Sequence, residues 1–346
     1  MDEQTFHALL AKGAQHKASD VLLKVGQPPA LRVHGDLYYM QAEKLAPQNT
    51  LQVAEIVLAK SRYSGQIADL KEYDCAYSLS GVGRYRVNIF RQRQSLALAM
   101  RSIQLTVPTF DQLSMPPAVR NFAILERGLV LVVGAAGNGK SSTLAALVGE
   151  MNRTRRLHIV TIEDPIEFIH TDALSSVSQR EVGLDTNSFA SALRAALRQD
   201  PDVILVGEVR DQETMGIALQ AAETGHLVLS TLHTPDVQRT VGRVLSLLGT
   251  KDAQETRERF ADALKGVVAQ RLVPKGSGGG MVAAIEVLVN TATARESLRR
   301  PETNPTLKEV MERGVHPYGM QTFEMHLKEL ARTNVISIET ARQQLG

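Results

Sequence analysis

Residues 129–147 read Leu-Val-Leu-Val-Val-Gly-Ala-Ala-Gly-Asn-Gly-Lys-Ser-Ser-Thr-Leu-Ala-Ala-Leu, and no other stretch of the chain restricts its fold as much. The apolar run 129–133 predicts a buried strand, Gly134 to Ser141 fits the pattern Gly, four residues, Gly-Lys-Ser, and an alanine and leucine helix follows at once. The order is a physical requirement. Backbone N–H groups must turn inward around a phosphate, which Gly134, Gly137 and Gly139 permit without Cβ collisions, and the helix N-terminus adds positive potential. Ala135, Ala136, Asn138 and Ser142 complete the phosphate-facing segment. Lys140 is expected to reach the β and γ phosphates of ATP, and the Ser141 hydroxyl to ligate the Mg2+ that bridges them. The competing reading, a glycine-rich turn with a chance Lys-Ser after it, leaves the flanking strand and helix unexplained.

At 346 residues the chain suits two domains, and a hydrophobic content of 43% supports packed cores. Basic residues number 39 against 37 acidic, and the net charge of +2 argues against a nucleic-acid or membrane-surface protein. The single cysteine, Cys75, excludes an intramolecular disulfide or a multi-thiolate zinc site and suits a reducing cytosol. Met1 precedes Asp2 and Glu3, not a basic and then apolar run, so no secretory signal is expected. No apolar run approaches the ~20 residues that span a bilayer. Membrane association is therefore expected through a partner.

Phe6, Leu9 and Leu10 fall at helical spacing, 21–25 and 30–33 read as strands around Gly26-Gln27-Pro28-Pro29, and a helix fits 48–59. From residue 73 the text is β: 73–79, a turn at Gly81-Val82-Gly83, then 84–91 and 95–103. This predicts a small α+β domain over residues 1–105. Pro108, Pro116 and Pro117 mark a linker at 106–118. Over residues 119–346 short apolar strands (129–133, 158–162, 203–206, 227–231) alternate with helices (from Ser141, near 188–198, and 213–223). Such alternation predicts a mainly parallel sheet with the phosphate loop at the carboxyl end of its strand. Two helical patterns follow residue 236, then a hairpin of 267–273 with 281–289, tipped by Gly276-Ser277-Gly278-Gly279-Gly280. From residue 292 onward the pattern is helical, broken at Pro301, Pro305 and Pro317.

Three polar groups fall near strand ends. Glu208 closes the apolar run 203–207 and is placed to hold Mg2+ through water, whereas Asp202 begins that run and would lie at the wrong edge. Glu163, in Thr161-Ile162-Glu163-Asp164-Pro165, is placed to polarise an attacking water, although a turn before Pro165 explains the same pattern. His233, after the run 227–232, is either a γ-phosphate partner or a structural histidine. A fourth feature lies in the first domain: residues 75–110 hold Arg84, Arg86, Arg91, Arg93 and Arg101 with no acid before Asp111. On an unbroken strand, period two would put Arg84 and Arg86 on one face and Arg91 and Arg93 on the other. The cluster is a solvated face, a nucleic-acid surface thin in aromatics, or a source of arginine for a neighbouring nucleotide site.

These residues together resemble the secretion ATPase superfamily, and within it the PilT-type retraction ATPases of type IV pili. The resemblance runs through Ala18-Ser19-Asp20-Val21, Pro28-Pro29, Arg32-Val33-His34-Gly35, Gly83-Arg84-Tyr85-Arg86-Val87-Asn88, the phosphate loop, 161–167 (the aspartate box), Gln179-Arg180-Glu181-Val182-Gly183, 197–211 (Walker B), 224–234 (the histidine box) and Gly319-Met320-Gln321-Thr322-Phe323. It implies a PAS-like N-terminal domain, a RecA-like P-loop ATPase domain, and a homohexameric ring with nucleotide in the interdomain cleft. It further implies catalytic roles for Glu163, Glu208 and His233, with Arg84, Arg86 or Arg101 approaching the γ-phosphate. The implied setting is cytoplasmic, peripheral at the inner membrane through a pilus platform protein, with room for a companion retraction or assembly ATPase and no nucleic-acid partner. Asn138 and Ser142 stand where the family commonly has Ser and Thr, changes that should be tolerated. The retraction-associated helix motif survives at 293–300 only as Arg295 and Arg299 with little else, which leaves a PilU-like accessory role open. A single cysteine and a short first domain argue for retraction over assembly. A nucleic-acid translocase and a non-hydrolysing ring regulator are the readings from other classes.

Overall fold

The structure, a computed structural model, describes residues 1–33, 35–103, 106–249 and 253–345; His34 and the expected domain end at residue 105 lie outside them. The chain is an α/β protein that divides into two compact units, Met1–Thr106 with Glu167–Ile169, and Val107–Ile166 with His170–Gly346.

The first unit contains α1 (Glu3–Gln15), β1 (Asp20–Leu23), β2 (Ala30–Val33), β3 (Asp36–Tyr39), α2 (Pro47–Ala59), β4 (Glu72–Leu79), β5 (Gly83–Gln92) and β6 (Ser95–Ile103). Its strands form one antiparallel sheet in the order β3-β2-β1-β6-β5-β4. Alternation governs this sheet: Tyr85, Val87 and Ile89 of β5 point into a core with Phe6, Leu10, Val53 and Val57 from the two helices, while Arg86 between them is exposed. Asp2 caps α1 by accepting the Thr5 N–H at 2.8 Å, which holds its carboxyl below the usual range. Cys75 is buried, and burial, with Asp74 nearby, pushes its thiol up to about 12, so it serves as a small apolar residue.

The second unit contains α3 (Pro117–Arg120), β7 (Gly128–Val133), α4 (Lys140–Thr154), β8 (His158–Glu163), β9 (Ser176–Glu181), α5 (Phe189–Ala196), β10 (Val203–Val206), α6 (Gln212–Glu223), β11 (Leu227–Leu232), α7 (Val237–Leu248), α8 (Ala253–Ala263), β12 (Leu264–Pro274), β13 (Met281–Val289), α9 (Ala292–Arg299), α10 (Leu307–Arg313), α11 (Phe323–Arg332) and α12 (Ile338–Leu345). The sheet order is β13-β12-β7-β11-β10-β8-β9, parallel throughout except for the β12–β13 hairpin. Every residue of β7, β10 and β11 is buried because helices cover both faces. Leu129, Leu131 and Val133 join a core built with α5 to α8, and Val130 and Val132 join one built with α4 and Phe122. Burying a Leu or Val side chain contributes roughly 1.5–3 kcal/mol each, so β7 is held firmly inside the sheet, and with it the start of the loop at its end.

Two strands were not legible as such. β3 is exposed at every residue, and β9 reads Ser-Val-Ser-Gln-Arg-Glu, a polar strand that ends the sheet beside β8. The unbroken strand that a second arginine face would need does not form, in keeping with the expected break between 84–91 and 95–103. β5 ends at Gln92, and Arg93 and Gln94, both with positive φ, form the two-residue turn to β6, so Arg93 is not on the strand.

Candidate active site

The phosphate loop leaves β7 at Gly134 and enters α4 at Lys140. Gly134 (φ 147°) lies so close to β12 that a Cβ would meet the Gln270 carbonyl oxygen at 2.5 Å, and Gly139 caps α4 in the left-handed region (φ 79°). Ala135, Ala136 and Gly137 form an exposed tip, whereas Asn138 and Gly139 are half-buried. Lys140 is buried, and its ammonium donates to the carbonyls of Gly134 at 2.8 Å and Ala135 at 3.0 Å. The cation is therefore already held at the loop. Ser141 and Ser142, half-buried, occupy the first turn of α4.

Three further side chains stand at carboxyl ends of neighbouring parallel strands. Beyond β10, the Gly207 N–H still bonds the Ile162 carbonyl at 2.8 Å and its carbonyl accepts from Thr231 Oγ1, so Glu208 emerges just past the ladder. Its side chain is only 12% exposed; it pairs with Arg210 and lies 3.4 Å from His233 Nε2. His233 follows the last residue of β11 and is half-exposed. Glu163 ends β8, where Thr161 Oγ1 donates to Glu163 Oε1 at 2.7 Å and Gln179 Nε2 donates to the same oxygen at 3.1 Å. Thr161 and Gln179 are register partners on β8 and β9, and period two puts them on the face from which Glu163 projects. Neither Arg210 nor Gln179 was among the expected site residues. Arg210 lies two residues past Glu208 along the chain, whereas Gln179 belongs to the strand the sequence concealed.

The sheet order makes the lateral geometry explicit. From β7 the neighbours are β11, β10 and β8, so Glu208 lies two strand spacings from the loop's strand, about 10 Å, and Glu163 three, about 14 Å. Asp202, as expected, is at the opposite edge, where its carboxylate accepts the His158 N–H at 2.8 Å. The donor set fits Mg2+. That ion keeps waters and takes one or two protein oxygens alongside substrate phosphates. A hydroxyl at Ser141 and a carboxylate at Glu208 supply such oxygens, and among the described residues no cluster of three or more His, Cys, Asp or Glu suggests a self-contained metal cage.

The arginines of the first unit differ among themselves. Arg32, Asp20, Arg101 and Arg86 are successive cross-strand partners, one row across β2, β1, β6 and β5. Asp20 holds Arg101 at 3.2 Å and Arg32 at 3.5 Å, while Arg86, at the end of the row, is exposed. Arg84 is half-buried on the same face as Arg86. Arg91 is structural: its guanidinium donates to the carbonyls of Leu70, Ala68, Ile67 and Gln94.

Comparison with known proteins follows the same lines. Residues 86–344 match the family described as "Type II/IV secretion system protein". The chain is 40% identical to the "Type IV pilus retractation ATPase PilT" of Pseudomonas aeruginosa, covering 97% of this chain and 96% of that protein, and 39% identical to the "Type IV pilus ATPase PilU" of the same organism, covering 97% and 87%. The solved structure titled "Crystal Structure of the Pilus Retraction Motor PilT and Bound ADP" superposes with a TM-score of 0.89 at 38% identity, over 97% of this chain and 96% of that one. No helix among the described residues is long and apolar enough to cross a membrane. The chain belongs to the Type II/IV secretion system protein family and, within it, to the PilT-type ATPases, enzymes that use and hydrolyse ATP.

Proposed function

We propose that this protein is the Mg2+-dependent ATPase motor of type IV pilus retraction, working as a cytoplasmic homohexamer against an inner-membrane platform protein. The observation that carries the reading is the likeness to a pilus retraction motor along nearly the full length of both chains. In this reading residues 1–105 are the PAS-like domain, 106–118 the linker and 119–346 the RecA-like ATPase domain.

The loop from Gly134 to Ser142 wraps the phosphates with its N–H groups, and Lys140 exchanges the carbonyls of Gly134 and Ala135 for β and γ phosphate oxygens. Ser141, with Glu208 through water, would hold Mg2+, which would supply charge neutralisation at the phosphates. Glu163, oriented by Thr161 and Gln179, takes the proton of the attacking water. His233, against Glu208, responds to the γ-phosphate through a hydrogen bond. Of the arginines, Arg86 is the best suited to meet a γ-phosphate, since Arg101 is engaged by Asp20.

The test is deletion of the gene in a piliated host. Loss of surface movement with pili retained supports retraction; loss of pili contradicts it. A second reading, a PilU-like accessory ATPase, rests on the degenerate segment 293–300, where little besides Arg295 and Arg299 survives of the retraction-associated motif, and on the 39% identity to PilU. Under that reading, the deletion leaves movement intact under light load.

A further inference from the structure

β12 is longer than its neighbour. The ladder with β7 ends at the pair Val133 and Ala269, yet β12 continues to Pro274. A strand that outlasts its partner leaves inward N–H groups without ladder acceptors. Which N–H groups those are follows from the other side of the hairpin. Ile285, opposite Gln270, sends its own N–H outward to His326 Nδ1 at 2.9 Å, so Gln270 and Leu272 turn their N–H groups away from β13. Leu272 therefore offers a donor beyond the end of β7. Asn138 takes it: the Leu272 N–H donates to Asn138 Oδ1 at 3.1 Å, across 134 residues of chain. The loop leans on the same strand at its first residue, where Gly134 packs against the Gln270 carbonyl.

We propose that Asn138 is a positioning residue for nucleotide binding, its amide oxygen lengthening the β7–β12 ladder by one side-chain bond and so holding the return limb of the loop in its phosphate-ready shape. The proposal rests on the reading of that loop as the nucleotide site and adds to it a role for a side chain anchored outside the loop. The bond needs no ligand, so the return limb of the loop is ordered in advance of binding. Ordering in advance raises affinity by removing a cost of binding.

The experiment uses the full chain without nucleotide, then with ADP. Asn138→Ala should speed hydrogen exchange at the Leu272 amide at least tenfold, leave Val268 in the middle of β12 as in the parent, and weaken ADP binding about fivefold, the worth of one hydrogen bond. Asn138→Asp, which keeps an acceptor at the same reach, should restore protection at Leu272. Lys140→Ala should lose ADP affinity with Leu272 still protected. Unchanged exchange at Leu272 in Asn138→Ala, or faster exchange with unchanged ADP affinity, overturns the proposal alone. Absence of ADP binding by the parent protein overturns the nucleotide reading and the proposal with it.

Discussion

The two sheets of this protein present their polar groups in different ways. In the parallel sheet every residue of β7, β10 and β11 is buried, so polar side chains gather at the carboxyl tips, where Lys140, His233, Glu208 and Glu163 follow one another across four adjacent strands. In the antiparallel sheet one face is wet, and the charges run across it as a row from Arg32 through Asp20 and Arg101 to Arg86. Tips suit chemistry on one small group held by fixed backbone; a surface row ending in the exposed Arg86 suits an encounter with an anion brought to it. The difference teaches that a charged residue's role here follows from its place on the sheet more than from its type.

Lys140→Ala is the strongest test on the tip side. It should abolish ATP turnover, with circular dichroism unchanged; turnover within tenfold of the parent would remove the loop from the site. On the row side, Arg86→Ala should lower turnover about 10³-fold, the usual worth of an arginine supplied to a γ-phosphate, with ADP binding retained. Arg91→Ala sharpens the contrast, since its bonds go to four backbone carbonyls. It should cost about 2 kcal/mol in thermal or denaturant unfolding, and a loss of turnover without any loss of stability would erase the distinction between the two arginines. An effect on stability of similar size concerns pH. Burial lowers His326 to about 4, and its Nδ1 accepts the Ile285 N–H, which requires that nitrogen unprotonated. The unfolded chain takes up a proton near 6.5 that the folded chain refuses until about 4. Stability contributed by this site is therefore complete above about 6.5 and falls as pH drops toward 4, by an amount of the order of 2 kcal/mol for a half-buried group. His326→Gln should flatten that slope in melting curves recorded between these pH values.

Legibility in the sequence followed the same division. β7 and its loop could be read because all that defines them is local: an apolar run too dense for a one-sided strand, then glycines at fixed spacing. The hairpin of β12 and β13 and the helices after it were legible for a similar reason. β9 was not, because an edge strand need not be apolar, and with it went Gln179, whose bond to Glu163 depends on pairing between distant segments. The break between 84–91 and 95–103 was legible, but not that Arg93 and Gln94 make the turn by themselves, because that turn carries no glycine to announce it. Asn138 looked like a tolerated exchange in the loop, since nothing near it in sequence reveals a strand end 134 residues away in need of an acceptor.

The central claim is that ATP is gripped at the glycine loop and cleaved by groups on the adjoining strand tips, with Glu163 as the base. Mixing Glu163→Gln with Mg-ATP, isolating the complex and identifying the bound nucleotide tests it most directly. ATP should be bound and recovered intact, with hydrolysis slowed about 10²- to 10⁴-fold. Recovery of ADP formed at the parent rate, or no bound nucleotide at all, would contradict it.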